Sequence, residues 1–192
     1  MQQTISRVNV FARSSLLSSV LTTTLFALLV ALFARISIPL PFTPVPFTLQ
    51  PMAVMLTGLI LGSRLGFFAL LEYFALGAVG APVWAGGAAG INLAAMSSLG
   101  YLISYPFAAW VIGWLSEKSN RSMLRLTFSG IAGLAVIYVF GVAYLAGWLN
   151  LVKHVTGGQV IVQAMALGAA PFIVPDIVKA VITAGVVRKM RD

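Results

Sequence analysis

Long apolar stretches follow one another along the whole chain, separated by short polar segments or by segments rich in proline and glycine. A helix that crosses a bilayer needs about 20 mostly apolar residues. The pattern predicts six membrane-spanning helices, over about residues 16–36, 51–61, 65–79, 99–115, 126–149 and 160–187. Because only Gly62-Ser63-Arg64 separates the short second and third spans, we expect a tight helical hairpin there. Residues 1–192 are therefore predicted to form a single all-α transmembrane domain.

The composition excludes several classes of function. Only 8% of the 192 residues are charged and 60% are apolar, whereas a soluble domain carries roughly 25% charged residues. Six spans would occupy nearly the whole chain and leave no room for a soluble enzyme domain or a nucleotide-binding domain. Cysteine is absent and His154 is the only histidine, so neither a metal nor another cofactor is expected. The net charge of +8 could suggest nucleic acid, but basic residues at the ends of spans explain it better.

Basic residues fall on alternate connections of the predicted spans, which puts most of them on one side of the membrane. That side holds Arg7, Arg13, Arg64, Lys118, Arg121, Arg125, Arg188, Lys189 and Arg191. The other side has only Arg35 and Lys153. An excess of lysine and arginine marks the cytoplasmic side, so both termini are predicted to be cytoplasmic. We therefore expect a multi-pass protein of the cell membrane.

The two long connections on the outer side are uncharged and rich in proline and glycine. They cover residues 37–50 and 80–98 and cannot be regular helix throughout. Irregular backbone at membrane depth persists where it is buried in protein or lines a cavity. Ordinary surface loops are the alternative, but such loops are usually polar, and these contain Phe42, Phe47 and Trp84. We favour loops that fold down over a pocket.

Three charged residues, Glu72, Asp176 and Lys179, lie well inside predicted spans. Charges at membrane depth are costly and often functional. Asp176 and Lys179 are three residues apart and share one face of a helix, so a purely structural salt bridge is the alternative. Pro171 and Pro175 are expected to disrupt the helix just before Asp176 and to free backbone carbonyls beside the pair. Broken helices of this kind recur at binding sites in transporters.

The outer loops also carry neutral groups that could contact a ligand. Thr43 and Gln50 offer hydrogen bonds, with loop satisfaction or helix capping as the alternative. Asn92 is the only amide of the second loop, and it could instead cap the next helix. Trp84 could stack on a ligand or anchor at the headgroup level. The glycines around Gly87 suggest close backbone approach, without the lysine of a phosphate loop.

Small residues recur on the first span. Ala27 and Ala31 are four apart, a spacing that lets helices approach closely in membranes. Packing inside the bundle and docking onto another membrane protein both fit this pattern.

Three motifs, PFTPVPFTLQP, GAVGAPVWAGGAAG and PFIVPDIVK, together resemble the BioY family. These proteins are the biotin-specific substrate-binding (S) components of energy-coupling factor (ECF) transporters. The resemblance implies the six-helix S-component fold, with a biotin pocket that opens outward. It also implies a transmembrane coupling protein and two cytoplasmic ATPases as partners. Ala27 and Ala31 would contact the coupling protein.

Asp176 and Lys179 match the family pattern residue by residue, and the chemical groups of biotin suggest detailed roles for these and other residues. Asp176 would accept hydrogen bonds from the ureido N–H groups of biotin, and Lys179 would pair with Asp176 or donate to a ligand oxygen. The remaining hydrogen bonds would come from Gln50, Thr43 and Asn92, and the shielding of the apolar face from Trp84 and Phe47, with Gly87 in the loop. One stretch departs from the family: Gly-Pro-Thr-Gly-Gly-Tyr-Leu is replaced by residues 96–102, MSSLGYL, so only Gly-Tyr-Leu is kept.

Three other functions stay open at this point. The chain could be an S component for another vitamin, which the altered turn at 96–99 allows. It could be a membrane enzyme acting on a lipid-soluble substrate, although no catalytic constellation is present beyond Asp176 and Lys179. It could also be a structural subunit, which would leave the uncharged outer loops unexplained.

Overall fold

The structure is a computed structural model that describes residues 16–92, 96–117 and 122–190. Its helices are α1 (Leu16–Ala34), α2 (Gln50–Ala78), α3 (Leu99–Glu117), α4 (Met123–Lys153), α5 (Gln159–Gly168) and α6 (Ala170–Lys189). Two short antiparallel strands, β1 (Ser37–Ile38) and β2 (Phe47–Thr48), close the loop between α1 and α2. Five helical stretches of the described residues are long and apolar enough to cross a membrane, with α5 and α6 counted together. The predicted all-helical membrane architecture is thus confirmed.

Helix α2 folds back on itself at Gly62, whose backbone (φ 80°, ψ −174°) is not helical. A Cβ placed on Gly66 would lie 3.4 Å from the Cα of Gly58, on the other side of this turn. The Gln50 side chain likewise bonds the Tyr73 hydroxyl at 2.6 Å, although 23 residues separate them. Along a continuous helix that separation would be about 35 Å. The tight hairpin that the sequence predicts is therefore present, with halves over 50–61 and 63–78.

The last predicted span, 160–187, is broken, and the break differs from the one expected. It lies at Ala169 (φ −123°, ψ −54°), seven residues before Asp176 and not next to it. Pro171 sits in the first turn of α6, where a missing N–H costs nothing, so it begins a helix and does not kink one. Pro175 lies within α6. The prediction of a break directly beside Asp176 was wrong, because Pro171 begins α6 and the helix continues through Pro175.

The break still frees backbone carbonyls, but at the end of α5. The carbonyl oxygen of Leu167 accepts a bond from the Thr43 hydroxyl at 2.6 Å. The carbonyl oxygen of Gly168 accepts one from the Tyr101 hydroxyl at 2.8 Å. Both freed acceptors are thus satisfied by side chains, as burial away from water requires. These bonds fasten the first loop and α3 to the broken helix.

Basic residues of the described chain concentrate at one end of the bundle, here termed the basic end. This end holds the hairpin turn of α2, the end of α3, the start of α4 and the end of α6. Its basic residues are Arg64, Arg125, Arg188 and Lys189. The Ser63 backbone N–H joins the turn to α3 by donating to the Glu117 carboxylate at 2.7 Å. Arg35 and Lys153 lie at the opposite end. Arg7, Arg13, Lys118, Arg121 and Arg191 lie outside the described residues.

Helix α1 packs on α2 through its small residues. Ala27 is 1% exposed and Ala34 is fully buried, while Ala31 is partly buried. Packing inside the bundle, one of the two interpretations of the alanine pattern, therefore describes Ala27 in this conformation. The leucines of the opposite face of α1, such as Leu21 and Leu25, are more than half exposed on the surface of the bundle.

We predict that Gly62→Ala lowers the midpoint of thermal unfolding in detergent. Only glycine adopts this φ and ψ without strain, and a Cβ here would also meet the Glu117 carboxylate. Strain of this type costs about 1–3 kcal/mol. Gly147→Ala is the matched control, because a Cβ there meets nothing within 4 Å and alanine favours helix. Equal destabilisation by the two substitutions would contradict the hairpin geometry.

Candidate ligand-binding site

A cavity of about 240 Å³ lies at the end of the bundle opposite the basic end. Both outer loops border it, so the predicted folding of the loops over a pocket is confirmed. The residues of the loops and of the start of α2 that line it are Pro44, Val45, Pro46, Thr48, Gln50, Pro51, Trp84, Ala85, Ala88, Met96, Ser97 and Ser98. Its deeper wall comes from α3, α4 and α6. The polar side chains there are Tyr101, Tyr105, Tyr138, Asp176 and Lys179. The cavity is small, just under the roughly 300–1,000 Å³ of typical ligand pockets.

The charged pair on α6 forms the polar centre of this wall. Lys179 Nζ lies 2.7 Å from Asp176 Oδ1, and both side chains are more than nine-tenths buried. The other carboxylate oxygen, Oδ2, accepts a bond of 2.6 Å from the Tyr138 hydroxyl of α4. The two charges therefore cancel, and each carboxylate oxygen has one hydrogen bond. A buried pair is tolerated only when its remaining polar atoms are satisfied in this way.

Lys179 also holds the first outer loop in place. Its Nζ donates to the backbone carbonyl of Thr48 at 2.7 Å. The same Nζ lies 4.0 Å from the centre of the Phe47 ring, which is within cation–π range. Phe47 and Thr48 form β2, which pairs with β1. Four prolines between 39 and 46 prevent the chain between the two strands from forming a helix. The pair on α6 thus has partners on α4 and on the first outer loop.

Gln50 begins α2 and connects the cavity to the second outer loop. Its side chain is 2% exposed, and its Nε2 donates to the Tyr73 hydroxyl at 2.6 Å. Tyr73 in turn donates to the Val83 carbonyl at 3.1 Å. No described residue bonds the Gln50 Oε1, so this acceptor is available on the cavity side.

Trp84 forms part of the cavity wall and is buried, at 1% exposure. Its ring lies 5.8 Å from that of Phe74 and directly on Gly77, where a Cβ would overlap the indole. Its Nε1 is buried and has no hydrogen-bond partner among the described residues. A tryptophan that anchors at the headgroup level keeps its N–H in contact with water, so Trp84 is not such an anchor.

Four residues that the sequence suggested are not part of the cavity lining. Thr43 bonds the end of α5, and Phe47 covers Lys179 from outside. Asn92 is exposed, and its backbone carbonyl accepts the Met96 N–H at 2.9 Å. Gly87 (φ 86°) turns the loop beside Arg35. In this structure these residues position the loops.

The tyrosines of the deeper wall were missed by the sequence analysis. Tyr101 and Tyr105 lie one turn apart on the same face of α3, and Tyr138 faces them from α4. No described residue bonds the Tyr105 hydroxyl, although the side chain is 3% exposed. The sequence did carry a signal, because the hydroxyl of a tyrosine within an apolar span needs a hydrogen-bonding partner.

Two further bonds hold the outer loops against one another and against α1. The Ser97 hydroxyl donates to the Pro44 carbonyl at 2.8 Å and joins the two loops. The Arg35 guanidinium donates to the Pro82 carbonyl at 2.7 Å and ties the second loop to the end of α1. Ser97 belongs to the stretch at 96–102 that departs from the family pattern, and it lines the cavity. The cavity wall therefore differs in sequence from the family pattern at this point.

Comparisons with known proteins place the chain among transporters. The model of the BioY family matches residues 2–192. A probable biotin transporter BioY from Pyrococcus horikoshii is 41% identical over 156 residues, covering 81% of this chain and 85% of that protein. The biotin transporter BioY of Rhizobium etli is 38% identical over 173 residues, covering 86% and 88%.

A solved structure shares the fold. The crystal structure at 2.1 Å of the S-component for biotin from an ECF-type ABC transporter matches with a TM-score of 0.66 and 27% identity. The match covers 91% of each chain. The described helices therefore have the arrangement of an ECF S component.

We predict that Thr43→Val lowers the midpoint of thermal unfolding, whereas Thr43→Ser leaves it nearly unchanged. Valine keeps the size of threonine but leaves the part-buried Leu167 carbonyl and the Val45 N–H without the hydroxyl that bonds both of them. Such a loss costs about 1–3 kcal/mol. Differential scanning fluorimetry in detergent measures the effect. If valine and serine give the same midpoint, the bond to α5 does not hold the loop.

Proposed function

The chain belongs to the BioY family, and we propose that the cavity beside Asp176 and Lys179 is where it binds biotin for uptake. It is a multi-pass protein of the plasma membrane and a transporter, not an enzyme. The observation that carries the site assignment is the buried pair on α6, whose partners come from two other elements around one cavity, α4 and the first outer loop.

Hydrogen-bonding capacity at the pair matches the ureido ring of biotin, which has two N–H donors and one carbonyl acceptor. Each Asp176 oxygen accepts one bond, so each keeps a lone pair for a ureido N–H. An ammonium group has three hydrogens, and Lys179 uses two of them, toward Asp176 and Thr48. The third hydrogen would bond the ureido carbonyl. The pair can thus bind the whole ring without any change in net charge.

Other cavity groups would complete the site. The Oε1 of Gln50 offers one more acceptor, and the Tyr105 hydroxyl offers a donor. Trp84 presents an apolar wall against which the sulfur-containing ring of biotin would pack. Thr43, Phe47 and the glycine turn would act indirectly, by holding the loops that cover the ligand.

We further propose six membrane crossings with both termini in the cytoplasm. In this topology the two halves of α2 count as separate short spans, and α5 with α6 counts as one. The basic end would then face the cytoplasm, as the excess of lysine and arginine favours. The cavity, at the other end, would face outward, where biotin arrives.

Energy for uptake would come from partner proteins, because the solved structure that shares this fold is the S-component of an ECF-type ABC transporter. We propose that the chain assembles with a transmembrane coupling protein and the ATPases of an ECF module. Ala31 and the exposed leucines of α1 are the proposed contact, since Ala27 is already used within the chain.

The direct test is binding of biotin to the purified protein in detergent or lipid nanodiscs. We expect saturable binding of one biotin per chain and no competition from a panel of other vitamins. A folded protein that fails to bind at micromolar biotin would refute the proposal. Competition by another vitamin would instead identify an S component of altered specificity, which the altered stretch at 96–99 makes worth testing.

We predict that Asp176→Asn and Lys179→Ala each weaken biotin binding at least about tenfold, equivalent to about 1.4 kcal/mol. Each change leaves the other charge unpaired in a dry site, beyond the loss of its own contact. Lys153→Ala is the control, because it removes an exposed lysine at the same end of the bundle. Unchanged affinity in both pair variants would leave the pair a structural role only.

A further inference from the structure

A second hollow lies on the flank of the bundle near the basic end. Its volume is about 420 Å³, and it lies between the second half of α2 and α3. Its lining is aromatic apart from one charged group, and consists of Arg64, Phe67, Phe68, Phe107 and Trp110. None of these residues borders the cavity.

The hollow has a charged end and an aromatic interior. Arg64 comes two residues after the turn at Gly62, so it stands at the membrane surface of the basic end. Phe67 and Phe68 follow one turn deeper, about 5–6 Å along the helix. Phe107 lies in edge contact with Phe67, with ring centres 5.7 Å apart. The hollow therefore runs as a slot from the Arg64 cation at the membrane surface into the hydrocarbon layer.

The aromatic walls are open to the surroundings of the protein. Phe68, Phe107 and Trp110 are 57%, 43% and 47% exposed. Trp110 also stacks on Trp114, with ring centres 6.4 Å apart, which extends the aromatic surface toward the basic end. Exposed rings at the depth of the bilayer contact lipid acyl chains.

The Arg64 charge is not compensated by the described part of the protein. Glu117, the acidic side chain that the structure describes at this end, is bound by the N–H and hydroxyl of Ser63 and borders a different hollow. No described residue forms a salt bridge with Arg64. The guanidinium presents paired donors, which suit the oxygens of a phosphate. The other basic residues of this end add to a field that favours anionic lipid.

We propose that this hollow binds one anionic phospholipid, with its phosphate on Arg64 and an acyl chain between Phe68 and Trp110. The charge at the surface and the apolar slot below it match the two parts of such a molecule. The combination of the two distinguishes this site from a simple lipid-facing surface. Because the hollow is remote from the cavity, the site does not depend on which ligand the cavity binds.

Native mass spectrometry of the purified protein tests this proposal. The probes are phosphatidylglycerol and phosphatidylcholine with identical acyl chains. The wild type is expected to retain one phosphatidylglycerol at least about fivefold more strongly than phosphatidylcholine. Arg64→Gln should abolish this preference, whereas Lys189→Gln, which removes a charge of the same end outside the hollow, should keep it. Equal retention of the two lipids, or equal loss in the two variants, would overturn the proposal.

Two further measurements distinguish binding of a whole phospholipid from binding of an anion alone. Trp110→Ala should weaken retention of phosphatidylglycerol, because the acyl chain loses a wall of the slot. Inorganic phosphate in excess should fail to displace the lipid. Displacement by phosphate alone, together with unchanged lipid retention in Trp110→Ala, would show only an anion contact on Arg64. That result would refute the proposal. The midpoint of thermal unfolding of each variant, expected to lie close to that of the wild type, shows that the protein is folded.

Discussion

The arrangement of this protein depends on the need to compensate charge in a medium that cannot solvate it. An uncompensated charge at the centre of a membrane helix costs about 2.5–3.5 kcal/mol even on insertion scales. Asp176 and Lys179 avoid this cost by pairing at 2.7 Å, and their remaining bonds reach the Tyr138 hydroxyl and the Thr48 carbonyl. The pair therefore fixes α6 relative to α4 and to the first outer loop. The cavity exists where these elements meet, so the groups that stabilise the fold are also those that line the cavity.

The same requirement, applied to the backbone, explains how irregular chain is accommodated. The carbonyls freed at the break between α5 and α6 are bonded by Thr43 and Tyr101, and the loops are joined by Ser97. Each of these bonds connects elements that are distant in sequence. The result is a site with a rigid deep wall of helices and an outer wall of loops held by a few hydrogen bonds. Such loops can open with the loss of few contacts, as capture and release of a solute require.

Features set by residue type and local spacing could be predicted from the sequence. These include the hairpin at Gly62, the loops over a pocket and the pair of Asp176 with Lys179. Features set by packing could not. Whether Pro171 begins a helix or kinks one depends on where the preceding helix ends, which the continuous apolar run around it does not reveal. The tyrosines of the deep wall were missed because a span that is apolar all round does not indicate which face points inward. Ala27 was ambiguous for the same reason.

The central claim is that the buried pair on α6 binds the ureido ring of biotin. The measurement that tests it most directly is the distance from the ureido nitrogens to the Asp176 carboxylate in a crystal structure of the biotin complex. The account predicts a hydrogen-bonding distance of about 2.7–3.2 Å, with Lys179 Nζ at a similar distance from the ureido oxygen. A complex in which the ureido ring lies out of reach of both side chains would contradict it.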